Sequence, residues 1–152
     1  MVEKIDKRAV NAVLFSIADS IHKLIGRSSE VVIRNAGPKM IEEMEKQGLK
    51  IDSTDLDEMT KQLTDLFKNL GLCNEISFQS DESQNTLLIK ILDCSFWETT
   101  MAMKEKGVWP PFSCPFASMT MALCDRNLGK KTSVSKIEPI GERSSLIELM
   151  LL

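Results

Sequence analysis

The sequence predicts an α/β domain of the α+β type, with N-terminal helices packed on an antiparallel four-stranded sheet. Three consecutive segments place apolar residues at the i, i+3, i+4 spacing of amphipathic helices. Two later pairs of strands are each joined by a turn, and strands joined in this way are antiparallel. The predicted element order is therefore ααα-ββ-αα-ββ. With 152 residues and no linker or low-complexity stretch, the chain is expected to form a single domain over residues 1–152.

The first predicted helix runs from Asp6 to Gly26, and Gly26 stands where a C-terminal cap is expected. Its apolar residues recur with helical spacing and are expected to form one buried face. They are Val10, Val13, Leu14, Ile17, Ala18, Ile21, Leu24 and Ile25.

The second predicted helix starts near Ser28 or Ser29 and continues to Gly48. We expect a kink or a break at Gly37-Pro38, because a proline inside a helix removes one backbone hydrogen bond. The third helix follows the capping residues of segment 52–54 and ends at Gly71.

The second half of the chain alternates short strands and helices. Polar and apolar residues alternate over 75–79, residues 80–85 supply a turn, and residues 87–94 form a second strand. Helices are predicted over 96–106 and 115–129, with a stiff apolar loop over 108–112 between them. Strands over 132–138 and 144–152 flank a predicted turn at 139–142.

Composition argues against several classes of function. The net charge is -3 and the Lys and Arg residues are scattered among acids, so no basic patch for direct nucleic-acid binding is expected. No apolar run approaches the ~20 residues of a membrane span, and the N-terminus lacks the pattern of a signal peptide. We expect a cytoplasmic protein. Motifs of common enzyme classes are absent, and the single histidine, His22, lies at the edge of a helix stripe, which favours a binding module over an enzyme.

The chain has four cysteines and no CxxC pair: Cys73, Cys94, Cys114 and Cys124. Cys114 opens a predicted helix, where the helix dipole lowers a thiol pKa, so it is the best candidate for a reactive thiol. Cys94 ends a strand and could meet Cys114, with Asp93 or Glu98 completing a zinc shell. Cys124 lies ten helical residues beyond Cys114, about 15 Å away. This distance is too large for both sulfurs to bind one zinc ion. The other interpretation is that these thiols are buried structural residues that act as small hydrophobes.

An apolar cluster that includes both tryptophans falls between the second and third predicted strands. Small-molecule pockets are mostly apolar, and methionine adapts to irregular shapes, so the cluster is a candidate ligand pocket. The alternative is that it closes the core over the sheet. The stiff loop within it would serve as a lid or a partner-facing edge. The candidate ligand-binding residues are Phe96, Trp97, Met101, Trp109, Phe112, Phe116 and Met119.

Short motifs along the chain resemble the 4-vinyl reductase (hydrocarbon-binding) domain family, which shares its fold with the TRAPP subunits of Golgi transport and with relatives of nitric-oxide sensors. The motifs are Arg34-Asn35-Ala36-Gly37, Leu70-Gly71-Leu72, Ile91-Leu92-Asp93-Cys94, Cys114-Pro115-Phe116, Gly129-Lys130-Lys131, Val134-Ser135-Lys136-Ile137 and Gly141-Glu142-Arg143.

The resemblance implies an archaeal or bacterial domain that dimerises through helices and encloses a small, often apolar ligand. Some family members hold zinc with cysteines and an acid. This chain has Ile137 and Ser144-Ser145 near positions where members often carry cysteine, so two of those ligands are absent.

Three functional hypotheses follow. The first is a small-molecule-binding or sensory domain that acts as a homodimer. The second is a protein-interaction scaffold without a small ligand, which would use the face of the first helix or the loop at Trp109. The third is a thiol-dependent or zinc-binding protein that uses Cys94 and Cys114.

Overall fold

A computed structural model of the chain describes residues 6–26, 29–108, 111 and 114–152, with the backbone alone for residues 29 and 30. It confirms the predicted fold class and element order. The elements are α1 (Lys7–Ile25), α2 (Ser29–Lys46), α3 (Leu56–Asn69), β1 (Glu75–Asp81), β2 (Thr86–Leu92), α4 (Trp97–Glu105), α5 (Pro115–Leu128), β3 (Thr132–Gly141) and β4 (Ser144–Leu151).

The four strands form one antiparallel sheet in the order β1-β2-β4-β3. One row of apolar residues crosses it: Phe78 pairs with Ile89, Ile89 with Ile147, and Ile147 with Ile137. The three isoleucines are buried beneath the helices, and such cross-strand pairs of β-branched residues stabilise a sheet. Helices α3 and α5 contact the sheet, α2 packs on α5, and α1 packs on α4.

Strand β3 is longer than the sequence indicates. The predicted turn at 139–142 is wrong, because β3 continues through Pro139 to Gly141 and only Glu142 and Arg143 separate it from β4. Proline has no N–H for the ladder, so it is tolerated on an edge strand such as β3. The pairing register with β4 shifts between Pro139 and Gly141, which accommodates the ring.

Helix α2 does not break at Gly37-Pro38 and runs as one element with Pro38 inside it. The glycine is needed for packing. A Cβ atom on Gly37 would lie 2.0 Å from the backbone oxygen of Ser118 and 3.0 Å from the Cβ of Ala122, both on α5. The backbones of the two helices therefore approach each other closely at Gly37, next to the small residues Ser118 and Ala122.

The prediction of a single buried face on α1 is wrong. In the described chain only Asn11 and Ala18 are buried on this helix. Five of the residues assigned to the face are exposed, with relative exposures of 36% for Val10, 59% for Val13, 53% for Ile17, 85% for Leu24 and 42% for Ile25. The physical reason is that α1 packs chiefly on one other helix, α4, and this contact leaves much of the apolar stripe exposed.

A buried amide attaches α1 to α4. The Asn11 side chain donates from Nδ2 to the backbone oxygens of Lys7 (2.9 Å) and Ser95 (2.7 Å). Its Oδ1 accepts from the backbone N–H (3.1 Å) and the hydroxyl (2.6 Å) of Thr99. Both residues are almost fully buried, so this polar contact is complete and sheltered from water.

Candidate functional site

Two of the predicted ligand-binding residues lie in the centre of the core. Phe116 and Met119 on α5 are each 1% exposed. The Phe116 ring makes edge-on contacts with Phe67, at 4.8 Å between centroids, and with Phe96, at 6.5 Å. Aromatic pairs at these distances favour this geometry, so Phe116 is a packing centre for α3, α4 and α5.

The other predicted pocket residues lie further out. Phe96, Trp97 and Met101 are half-buried, and Phe96 and Trp97 pack against the core. Trp109 and Phe112 fall outside the described residues. The structure thus brings Phe96, at the start of α4, into contact with Phe116 on α5. A ligand that entered the core beside Phe96 and Phe116 would displace side chains. The buried Met103, Met119 and Met121 are flexible residues that change conformation easily.

All four thiols are buried and unpaired. Burial, followed by the nearby Cys114 charge, raises the pKa of Cys94 from 9.0 to about 12. Burial likewise raises the pKa of Cys73, Cys114 and Cys124 from 9.0 to about 11. The lowered pKa expected for Cys114 is therefore wrong: the N–H groups of Ala117 and Phe116 lower it, as a helix N-terminus should, but desolvation outweighs them. None of the four is a ready nucleophile at neutral pH.

Two of the thiols lie on paired segments, and a third acts on one of them electrostatically. The backbone N–H of Ser95 donates to the oxygen of Leu72 at 2.9 Å, which places Cys73 opposite Cys94 beyond the end of the β1–β2 pair. The charges of Cys114, at the N-cap of α5, and of Cys73 both raise the pKa of Cys94. Among the described residues, no three His, Cys, Asp or Glu side chains group so as to hold a metal ion.

The two acids considered for a zinc shell are engaged elsewhere. Arg143 donates from Nε to Asp93 Oδ1 at 2.8 Å and from Nη1 to Glu98 Oε1. It also donates to the backbone oxygen of Cys94 at 3.2 Å. The side chains of Asp93 and Glu98 thus both form ion pairs with Arg143 of the β3–β4 turn, and they do not fit a zinc site. Sequence reasoning missed Arg143 as the residue that organises this region, because its partners are distant in sequence.

The described chain presents an apolar surface on α1 that we call the outer face: Val10, Val13, Ile17 and Leu24. With Ser20, these positions follow one another at intervals of three and four residues, the spacing of a helix–helix interface. The Ser20 hydroxyl donates to the backbone oxygen of Ser16 at 2.8 Å, so it is satisfied within its own helix. Sequence periodicity found these residues but assigned them to the core.

A comparison with protein-family models relates the sequence to one family. The model described as "Putative rubredoxin C-terminal domain" matches residues 10–150. The chain belongs to this family. The sequence-based resemblance named the 4-vinyl reductase family instead, and the rubredoxin C-terminal domain family is the one whose model matches.

The fold of this family member is similar to that of a solved TRAPP subunit. The crystal structure of trafficking protein particle complex subunit 3 from Naegleria fowleri, covalently bound to palmitic acid, superimposes with a TM-score of 0.60. The likeness covers 99% of this chain and 97% of that chain at 14% sequence identity, and it confirms the TRAPP-like fold. A comparison with curated proteins found no match. Among the described helices, none has the length and apolar character to cross a membrane.

Proposed function

We propose that this rubredoxin C-terminal domain is an assembly domain that forms a homodimer through the outer face of α1. The observation that carries the proposal is the exposure of Val13, Ile17 and Leu24, from 53% to 85%, along one line of the helix. Contiguous apolar surface exposed to water is typical of an interaction site, and its burial is favourable by roughly 25 cal/mol per Å².

The residue spacing of the outer face of α1 favours a second copy of this chain as its binding partner. Most homo-oligomers are two-fold symmetric, so one patch meets itself, and a three-and-four spacing is self-complementary when two such helices cross. Ser20, which interrupts the line, brings no unsatisfied hydroxyl into the interface because it bonds Ser16. The likeness to a subunit of a multi-subunit complex adds support, as does the helix-mediated dimer that the sequence resemblance implies.

Analytical ultracentrifugation tests the proposal. We expect the wild-type protein to sediment as a dimer and the double variant Val13→Asp/Ile17→Asp to sediment as a monomer, because the interface would bury two charges per chain without partners. Both residues are already exposed, so the fold should survive, as circular dichroism would verify. The matched control is Ile140→Asp, at an apolar residue 41% exposed on β3, which should remain dimeric. A wild-type monomer, or a double variant that stays dimeric, contradicts the proposal.

A second candidate function is the binding of an apolar ligand, which would make the homodimer a sensory domain. It is supported by the structural neighbour, which carries palmitic acid covalently, and by the buried thiols Cys94 and Cys114 beside a methionine-rich core. A thiol with a raised pKa reacts slowly, but a thioester formed there would be sheltered from water. The step would transfer an acyl group from a soluble acyl thioester to the cysteine sulfur, with release of the donor's thiol.

Intact-mass measurement of the purified protein tests this candidate. We expect a species heavier by one fatty-acyl chain, which neutral hydroxylamine removes. One of the two variants Cys94→Ser and Cys114→Ser, the one that removes the acylated sulfur, should abolish it. Cys124→Ser should retain it, because Cys124 is equally buried but is not among the groups whose charges act on Cys94. A wholly unmodified protein, with no lipid in an organic extract, contradicts ligand binding and leaves the α1 dimer unaffected.

A further inference from the structure

We propose that Cys73 and Cys94 form a reversible disulfide when the protein meets an oxidising environment. Cys73 lies in the connection between α3 and β1, and Cys94 lies in the connection between β2 and α4. Both are free thiols, each is 5% exposed, and both belong to the same hydrophobic core. The inference depends neither on the homodimer nor on the binding of an apolar ligand.

Backbone hydrogen bonds bring the two connections together just beyond the ends of β1 and β2. The N–H of Ser95 donates to the oxygen of Leu72 at 2.9 Å. The N–H of Asn74 donates to the oxygen of Leu92 at 3.1 Å. Between these two bonds, one segment has a single residue, Cys73, and the other segment has two. Cys73 therefore faces a two-residue bulge.

Of the two bulge residues, Cys94 shares the buried side with Cys73. The other, Asp93, has a φ of +52°, and its side chain is 38% exposed and paired with Arg143. The N–H of Cys94 donates to the Arg143 oxygen at 2.8 Å, and its carbonyl oxygen accepts from the N–H of Trp97 at 3.3 Å. The backbone groups of Cys94 are thus engaged away from Cys73, as in a non-hydrogen-bonded cross-strand pair.

The backbone favours Cys73 over Cys114 as the partner of Cys94. A disulfide needs Cα atoms roughly 4.4–6.8 Å apart, and facing residues of a non-hydrogen-bonded pair have Cα atoms about 4.5 Å apart. Cys114 also acts on the charge of Cys94. Its own backbone hydrogen bonds, however, join it to Pro111 and Ser118, so they do not hold it against either connection.

The bond would form by exchange with a small disulfide such as oxidised glutathione. The thiolate of one cysteine attacks the small disulfide, which gives a mixed disulfide and releases one small thiol. The second cysteine attacks the protein sulfur of the mixed disulfide, closes the bond between Cys73 and Cys94, and releases the other small thiol. The two cysteines are oxidised, the small disulfide is reduced, and two protons pass from the cysteines to the released thiols.

Oxidation would change the molecule in two ways. The bond would tie the connection before β1 to the connection before α4 and close the loop from residue 73 to residue 94. A closed loop restricts the unfolded chain and thereby stabilises the fold. The bond would also withdraw the Cys94 thiol from the acyl transfer considered above, so oxidation and acylation of this sulfur would exclude each other.

Peptide mapping of the full chain in a buffer of reduced and oxidised glutathione tests the site. The buffer is applied to native protein and to protein refolded into it from urea, so that slow access to buried thiols does not decide the result. Trypsin places Cys73 in peptide 69–90, Cys94 in peptide 91–104, and the other two cysteines together in peptide 107–126. After free thiols are blocked, we expect peptides 69–90 and 91–104 to be linked and dithiothreitol to separate them.

Thermal unfolding gives a second readout. The oxidised protein should melt about 5–10 °C above the reduced protein, the shift that closing such a loop produces in a domain of this size. Cys73→Ser should show neither the linked peptides nor the shift. The matched control is Cys124→Ser, at another buried cysteine, which should show both. Circular dichroism of the reduced proteins verifies that each variant is folded.

The mapping of the wild type decides the proposal whether or not the variants fold. A link between peptides 69–90 and 91–104, accompanied by the rise in melting temperature, supports it. Thiols that stay free by both routes overturn it. A link between peptides 91–104 and 107–126 also overturns it, because Cys94 would then pair with a different cysteine.

Discussion

The Gly37→Ala variant should lose about 3 kcal/mol of unfolding free energy, the upper part of the range for overpacking a core. The new Cβ would lie 2.0 Å from the oxygen and 2.7 Å from the carbonyl carbon of Ser118. Both atoms belong to the backbone of α5, so no side-chain rotation relieves the clash. The two helices would have to separate, which would open the packing between α2 and the helix that covers the sheet.

Urea unfolding followed by circular dichroism measures this effect. Gly141→Ala is the matched control, because neither glycine has a positive φ and a Cβ on Gly141 would meet only the Cβ of Ser144 at 4.0 Å. We expect the control to change stability by less than about 1 kcal/mol. An unchanged urea midpoint for Gly37→Ala would show that α2 and α5 do not pack as closely as described.

The Asn11→Ala variant should weaken the attachment of α1 by about 3 kcal/mol. It would leave the Thr99 N–H and the Ser95 carbonyl without the side-chain partner they now have, while the Thr99 hydroxyl would keep only the backbone oxygen of residue 11, now at 3.2 Å. Each unsatisfied buried group costs about 1–3 kcal/mol, and relaxation or entering water offsets part of the sum. Since α1 packs chiefly on α4, the loss should appear as local opening of α1.

Hydrogen exchange of the α1 amides, measured by mass spectrometry, checks this prediction. We expect much faster exchange in α1 and little change in the strands. The control is Asn35→Ala, at an exposed asparagine on α2 whose side chain bonds only the Val31 oxygen of its own helix, at 2.9 Å. This variant should behave like the wild type. Unchanged exchange of α1 in Asn11→Ala would mean that apolar contacts alone hold the helix.

The element boundaries could be predicted because they depend on neighbouring residues. Helix α3 begins where the Asp55 carboxylate accepts from the backbone N–H of Glu58, one residue after the capping segment 52–54 recognised in the sequence. Helix α5 starts with Pro115 in its first turn and ends at Gly129 in the left-handed conformation. Caps, turns and apolar spacing act over a few residues, so one sequence contains the information.

The candidate sites could be predicted only in part. The sequence grouped Phe96 with Phe116 and Cys94 with Cys114, and the structure brings both pairs near one another. It could not predict that Arg143 binds both Asp93 and Glu98, because that contact joins a turn to residues some fifty positions earlier. Nor could it predict the raised pKa of Cys114, since the balance between a helix terminus and desolvation depends on what surrounds the sulfur.

Sequence by itself determined the elements, their order and the antiparallel pairing, because periodicity and short connections leave few alternatives. It also determined which residues of α1 share an apolar face. Only the tertiary structure decided that α4 covers one part of that face, that α2 meets α5 at a glycine, and that Arg34 reaches the edge of β3. Local patterns determine which side chains lie on the same face of a helix or strand. Whether that face is buried depends on which parts of the chain, distant in sequence, pack against it.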